Sequence, residues 1–150
     1  MNIIIAGHPI YGVKDFSKSL AKRFGTNYIE VDEKDLGKNV GIFKNPPTKS
    51  GVYSGLVLAH KFENIDAVKV YIRHSEEDLI EYFMTINDIS FEDAKDAIVS
   101  WYDEKSDDYK RFFGVDIKDL NIYDLVISAS KLDNDGIISI IERYVNKIKK

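Results

Sequence analysis

Asn2-Ile3-Ile4-Ile5-Ala6-Gly7-His8-Pro9-Ile10-Tyr11-Gly12-Val13-Lys14-Asp15, running on through Phe16, Leu20 and Phe24 to Gly25, is the stretch around which the chain is read. Residues 2–6 are an apolar run of strand formers, the composition of a strand buried on both faces. Phe16, Leu20 and Phe24 recur at helical spacing, and Gly25 is a natural helix stop. Between strand and helix, Gly7 and Gly12 bracket a loop of the Gly-x4-Gly kind. That is the layout of a phosphate-binding loop, in which unpaired backbone N–H groups at a helix start attract an anion. The complete signature continues with a lysine that reaches the outer phosphates and a hydroxyl that ligates magnesium. Here Val13 and Lys14 stand in those two places. The architecture is kept and its chemistry is replaced.

Around that stretch the composition sets bounds. One hundred and fifty residues, 44% apolar and 31% charged, describe a single globular domain spanning 1–150 with room for a real core. A net charge of −4 gives no general attraction to nucleic acid or to an anionic membrane, so neither is expected as a partner. The basic tail Lys147-Ile148-Lys149-Lys150 suits the end of a helix. There is no cysteine, hence no disulfide and no thiolate ligand or nucleophile. No apolar run reaches membrane-spanning length and the N-terminus lacks a signal-peptide layout, so a cytoplasmic location is expected. His60 and His74 are far apart and lack neighbouring ligands, so no metal site is expected.

Further along, Asn27–Asp32 alternates as a second strand, and 33–51 loses periodicity, punctuated by Gly37, Gly41, Pro46, Pro47 and Gly51. Gly55–His60 is expected as a strand leaving a glycine kink, and Ala67–Ile72 as a firmer one. Ser75 with Asp78, and Ser90 with Asp93, carry the N-capping pattern of two helices, the second running to Phe113 before Gly114. Ile122–Ser128 reads as a last buried strand and Asp135–Lys149 as an amphipathic helix. Strands alternating with helices predict an α/β fold of three layers, a parallel sheet with helices on both faces.

Tyr109–Leu132, with Tyr109-Lys110, Gly114-Val115-Asp116, Tyr123-Asp124-Leu125-Val126-Ile127 and Ser130-Lys131, closely resembles the C-terminal part of archaeal-type cytidylate kinases. Ile89-Ser90-Phe91-Glu92-Asp93-Ala94 is similar to the Ile-Ser-Tyr-Glu-Glu-Ala of that family, and Ala6-Gly7 and Gly12 align as well. The resemblance covers some two thirds of the chain. It implies a P-loop kinase-like fold, lid-like helices over 75–113, and an adenine-side loop at Lys131. It also implies that the connection 33–51 replaces the monophosphate-binding helices, leaving that region reduced. Against the family pattern, the loop lysine is Val13 and the hydroxyl residues are Lys14 and Asp15. The monophosphate arginine is Gly55, and lid arginines are Tyr82, Ile86, Trp101 and Asp108. The acidic run Asp103, Glu104, Asp107 and Asp108 stands where the family is basic and reads as a solvated face.

Three functions follow from these residues. The first is a cytidylate kinase-like protein with a degenerate phosphate loop, catalytically weak or inactive and kept for binding a ligand or a protein. The aromatic side of helix 90–113 (Trp101, Tyr102, Tyr109, Phe112, Phe113) would then be a partner surface as well as core. The second is an active nucleoside-monophosphate kinase transferring the ATP γ-phosphate to CMP. In it Lys14 reaches phosphate and Asp15 holds magnesium; ATP and Mg2+ are cofactors only in that case. One residue further along a helix turns Lys14 by about 100° from the usual lysine, so this needs a differently wound loop. The third is a nucleotide- or anion-binding module without turnover, with Gly7, His8, Gly12, Val13, Lys14 and Lys131 lining the site.

Overall fold

The run at the N-terminus forms β1 (Asn2–Gly7), and α1 (Lys14–Phe24) follows, closed by Gly25 in the left-handed region at φ 64°. The computed structural model describes residues 1–8, 10–11, 13–31, 50–61 and 66–148. Gly12 and most of the connection expected over 33–51 lie outside the described residues. Beyond them come β2 (Tyr28–Ile29), β3 (Val52–Ser54), α2 (Leu56–Lys61) and β4 (Ala67–Arg73). Then follow α3 (Glu76–Asn87), α4 (Phe91–Phe113), β5 (Leu125–Ser128) and α5 (Asn134–Ile148). The five strands form one sheet in the order β2-β3-β1-β4-β5, with every pairing parallel.

Period-two alternation along β1 sorts the layers. Ile3 and Ile5 face a cluster with Phe16 and Leu20 of α1 and Ile137 and Ile141 of α5. Ile4 and Ala6 face the opposite cluster, with Tyr53, Val57 and Leu58. Tyr102, Tyr109 and Phe113, from the C-terminal part of α4, pack against that second cluster. Helices therefore cover both faces, the three-layer α/β arrangement expected of alternating elements.

The serine caps act as their sequence implies. Ser75 Oγ accepts from the Asp78 N–H at 3.1 Å, and Ser90 Oγ from the Asp93 N–H at 3.2 Å. Asp88, at φ 50°, turns the chain between the two helices.

One strand expectation is overturned. Gly55–His60 is not a strand: β3 ends at Ser54, Gly55 turns at φ 146°, and Leu56–Lys61 is helical. The Ala59 N–H donates to the Gly55 carbonyl at 3.3 Å, a helical bond. Leu56, Val57, Leu58 and Ala59 are all buried, and a short apolar run buried all round carries no period to separate helix from strand. The last strand starts at Leu125 rather than Ile122, because residues 120–123 form a turn in which the Tyr123 N–H bonds the Leu120 carbonyl. Asp124 then locks the register: its Oδ2 accepts the Lys69 N–H at 2.7 Å and its own N–H donates to the Lys69 carbonyl at 2.8 Å.

Candidate functional site

The connection from β1 runs through α1 towards β2, whereas that from β4 runs through α3 and α4 towards β5. Neighbouring strands whose connections leave in opposite directions open a crevice at their carboxyl ends, where ligands of parallel sheets bind. His8, Ile10, Tyr11 and Val13 stand at that crevice after β1, and His74 stands there directly after β4.

The crevice is occupied by rings. The Tyr11 ring stacks on His74 with centroids 3.7 Å apart and planes 9° from parallel. Its other neighbour is Tyr82 of α3, at 4.5 Å and 22°. His8 stacks on Tyr102 of α4 at 4.9 Å and lies 5.8 Å from Trp101. Two loop amides that an anion would need are engaged inside the loop. The Ile10 N–H donates to His8 Nδ1 at 3.2 Å, and the Tyr11 N–H to the His8 carbonyl at 3.0 Å. His8 is buried, and burial, reinforced by nearby His74, lowers its pKa from 6.5 to about 4. Its ring is thus neutral at pH 7, as an Nδ1 acceptor requires. Burial lowers the His74 pKa as well, against the pull of Asp78, and its Nδ1 is buried with no hydrogen-bond partner among the described residues. Tyr11 is raised by burial first and then by Asp78, Tyr82 and Glu81.

Gly7, His8 and Val13 are brought together here, while the two candidate catalytic residues are not. Lys14 opens α1, and its Nζ pairs with the Glu30 carboxylate beyond β2, which raises its pKa. Asp15 is exposed in the first turn of α1, where a carboxylate suits the helix dipole. Val13 packs its side chain on the core cluster under α1, and its carbonyl accepts both the Ser17 N–H and Ser17 Oγ. Lys131 is exposed after β5, and no hydrogen bond or ion pair among the described residues joins it to the loop. Among the described residues no group of three His, Asp or Glu side chains is placed to hold a metal ion, and no helix is long and apolar enough to cross a membrane.

Gly7 is where the loop is least tolerant. A Cβ there would meet Val13 Cγ1 at 2.9 Å and the Ile72 carbonyl oxygen at 3.2 Å. Gly7→Ala is expected to cost about 1–3 kcal/mol in overpacking. Val13→Ala in the same chain should recover part of the loss. Urea denaturation of the two single variants and the double variant measures the coupling, and strict additivity would exclude the steric account.

His74 and Tyr102 are loop neighbours that the sequence does not mark, whereas Tyr82 and Trp101 are expected only as the residues standing at the lid-arginine places. The available signal was that rings 82, 101 and 102 fall on helices that follow the strand beside β1. The aromatic side of helix 90–113 proves mostly covered: Tyr102, Tyr109 and Phe113 pack on the sheet cluster and Trp101 lies on His8. Phe112 is 64% exposed, with the Arg111 guanidinium 4.8 Å from its ring centroid. A cavity of about 200 Å³ lies away from the crevice, between the ends of α2 and α4, lined by His60, Lys61, Gly114, Val115, Asp116 and Asp119.

Comparison with known proteins supplies the kinship. The cytidylate kinase of Sulfurisphaera tokodaii is 26% identical over 157 residues, covering 97% of this chain and 82% of that protein. A solved structure of an uncharacterized protein from Eubacterium ventriosum matches with a TM-score of 0.70 at 15% identity, over 97% of this chain and 98% of its own. The shikimate kinase of Bacteroides thetaiotaomicron matches with a TM-score of 0.56 at 12% identity, over 100% and 99%. At such identities these two speak for the kinase-like fold alone. The model of the family described as "Cytidylate kinase-like family" matches residues 42–131, more than half of the chain. By that match, the chain belongs to the cytidylate kinase-like family.

Proposed function

We propose that this chain is a family member in which phosphoryl transfer is lost or much weakened, and which is retained for binding rather than turnover. The observation that carries this is the Tyr11 ring lying on His74 at 3.7 Å, in the crevice between the ends of β1 and β4. Phosphoryl transfer is positioning plus neutralisation of charge, so a lysine, a magnesium ligand and arginines are themselves the catalyst. Here the residue at the lysine place is apolar Val13, and the neighbouring Lys14 pairs with Glu30 at the surface. Two loop amides are already bonded to His8. A magnesium triphosphate does not fit residues so arranged, and ATP and Mg2+ are not assigned as cofactors. The exposed carboxylates Glu104 and Asp107 add negative charge to the lid-like helix α4, where Asp103 is paired with Lys118.

The test is to mix the protein with ATP, CMP and magnesium, follow ADP, and titrate each nucleotide by calorimetry. The expected result is turnover below roughly 10⁻³ s⁻¹ and no micromolar heat of binding, against kcat of about 1–100 s⁻¹ in working kinases. Turnover in the working range, abolished by Lys14→Ala, would establish an active kinase using Lys14 and Asp15. Micromolar nucleotide binding without ADP would establish a binding module.

A further inference from the structure

Two apolar clusters line the faces of the sheet, and a third stands apart from both. It is formed by Leu79 and Ile80 of α3 with Ala94 and Ile98 of α4, and Ile10 and Tyr11 of the loop pack against it. The long helix α4 therefore has two attachments. Its C-terminal part rests on the sheet through Tyr102, Tyr109 and Phe113, whereas its N-terminal part shares the separate cluster with α3. Between that cluster and the sheet lies the loop, and His8 is the hinge pin of the loop. Its ring lies against Tyr102 and Trp101, its Nδ1 holds the Ile10 N–H, and its carbonyl holds the Tyr11 N–H. One side chain thus both shapes the loop and presses it on the helix.

We propose that His8 is a proton-sensitive latch: its neutral ring holds Ile10 and Tyr11 against α3 and the N-terminal part of α4, and protonation frees that helix pair while the sheet stays folded. The chemistry is local. Nδ1 accepts the Ile10 N–H only while it carries no proton itself, so a second proton on the ring sets two donors against each other. Latched, the ring resists protonation down to about pH 4; released into water it takes a proton near its ordinary 6.5. Between those values the released form binds more protons, so falling pH favours release; above about 6.5 the proton plays no part. His74, lowered in the same sense, adds to the effect.

Other groups face this junction. From α4 comes Tyr102, with Asp103, Asp116 and Lys118 near its hydroxyl, and Lys105 over Trp101. From α3 come Asp78 and Glu81, beside Tyr11 and Tyr82, and from the end of β4 comes His74. Because these charged groups share the junction, the experiment has to separate them from His8.

Trp101 is the single tryptophan, and its emission reads the junction directly. As pH falls, the emission of the wild-type protein is expected to change with a midpoint below 6. That midpoint should coincide with the titration of the His8 ring followed by NMR, while amide signals of β1 and β4 keep their folded positions. His8→Asn keeps an acceptor near the place of Nδ1 but does not titrate, so the acid transition should lose the part that follows His8, leaving at most a smaller contribution from His74. A wild-type His8 midpoint near 6.5, or one that fails to match the Trp101 change, overturns the latch. So does a transition that persists in His8→Asn with its wild-type midpoint and full amplitude. The wild-type comparison requires no variant to fold, and none of these outcomes depends on whether the chain turns over nucleotide.

Discussion

Val13→Lys, which puts the lysine back at its usual place in the loop, is expected to leave ADP formation from ATP and CMP below roughly 10⁻³ s⁻¹. That is about a thousandfold under the slowest working kinases of the 1–100 s⁻¹ range. The reason is that a single cation is one part of a site whose other parts are also missing. Position 13 caps α1 with no side-chain bond, and its valine packs into the cluster shared with Phe16 and Leu20. A lysine there would have to leave that packing and cross to a crevice already filled by Tyr11, His74 and Tyr82. The amides of Ile10 and Tyr11 would still be turned inward to His8. Electrostatic catalysis works through preorganised donors, and donors already bonded elsewhere contribute nothing to a developing charge. Single-turnover measurement of ADP with Val13→Lys decides the matter. A rise to within tenfold of 1 s⁻¹ would mean that the loop opens readily and that the lysine was the one missing part.

Leu20→Ala is expected to destabilise the fold by about 2–5 kcal/mol, a large share of the 5–15 kcal/mol typical of a domain. Leu20 is 0% exposed and sits on the face of α1 that meets β1 and α5. Removing it leaves a cavity between helix and sheet directly below the loop, since α1 begins where the loop ends. Lys22→Ala, on the exposed side of the same helix, should stay within about 0.5 kcal/mol. Urea denaturation gives both values. A cost for Leu20→Ala as small as that of Lys22→Ala would mean that α1 is not anchored as described.

Much of this architecture was legible in the residues themselves. The apolar run 2–6, the stop at Gly25 and the capping serines 75 and 90 each act through near neighbours, so their sequence spacing carries the information. Leu56–Lys61 was not legible, because its four buried residues, Leu56 to Ala59, are as uniformly apolar as a central strand. The start of β5 was misplaced for a related reason. Asp124 pairs with Lys69, 55 positions away, and that bond rather than the apolar run sets where pairing begins.

The sequence alone determined the layered α/β class and the strand–loop–helix unit of β1 and α1, since period, caps and glycine stops are local properties. It also determined that valine rather than lysine follows the second loop glycine. Tertiary structure alone decided what the replaced loop does with its space. Tyr11 meets His74 and Tyr82, His8 meets Trp101 and Tyr102, and Lys14 meets Glu30, all across separations of 16 residues or more. Contacts of that kind exist only once the sheet has set β1 beside β4 and brought α3 and α4 over their ends, and no pattern within a single segment encodes them.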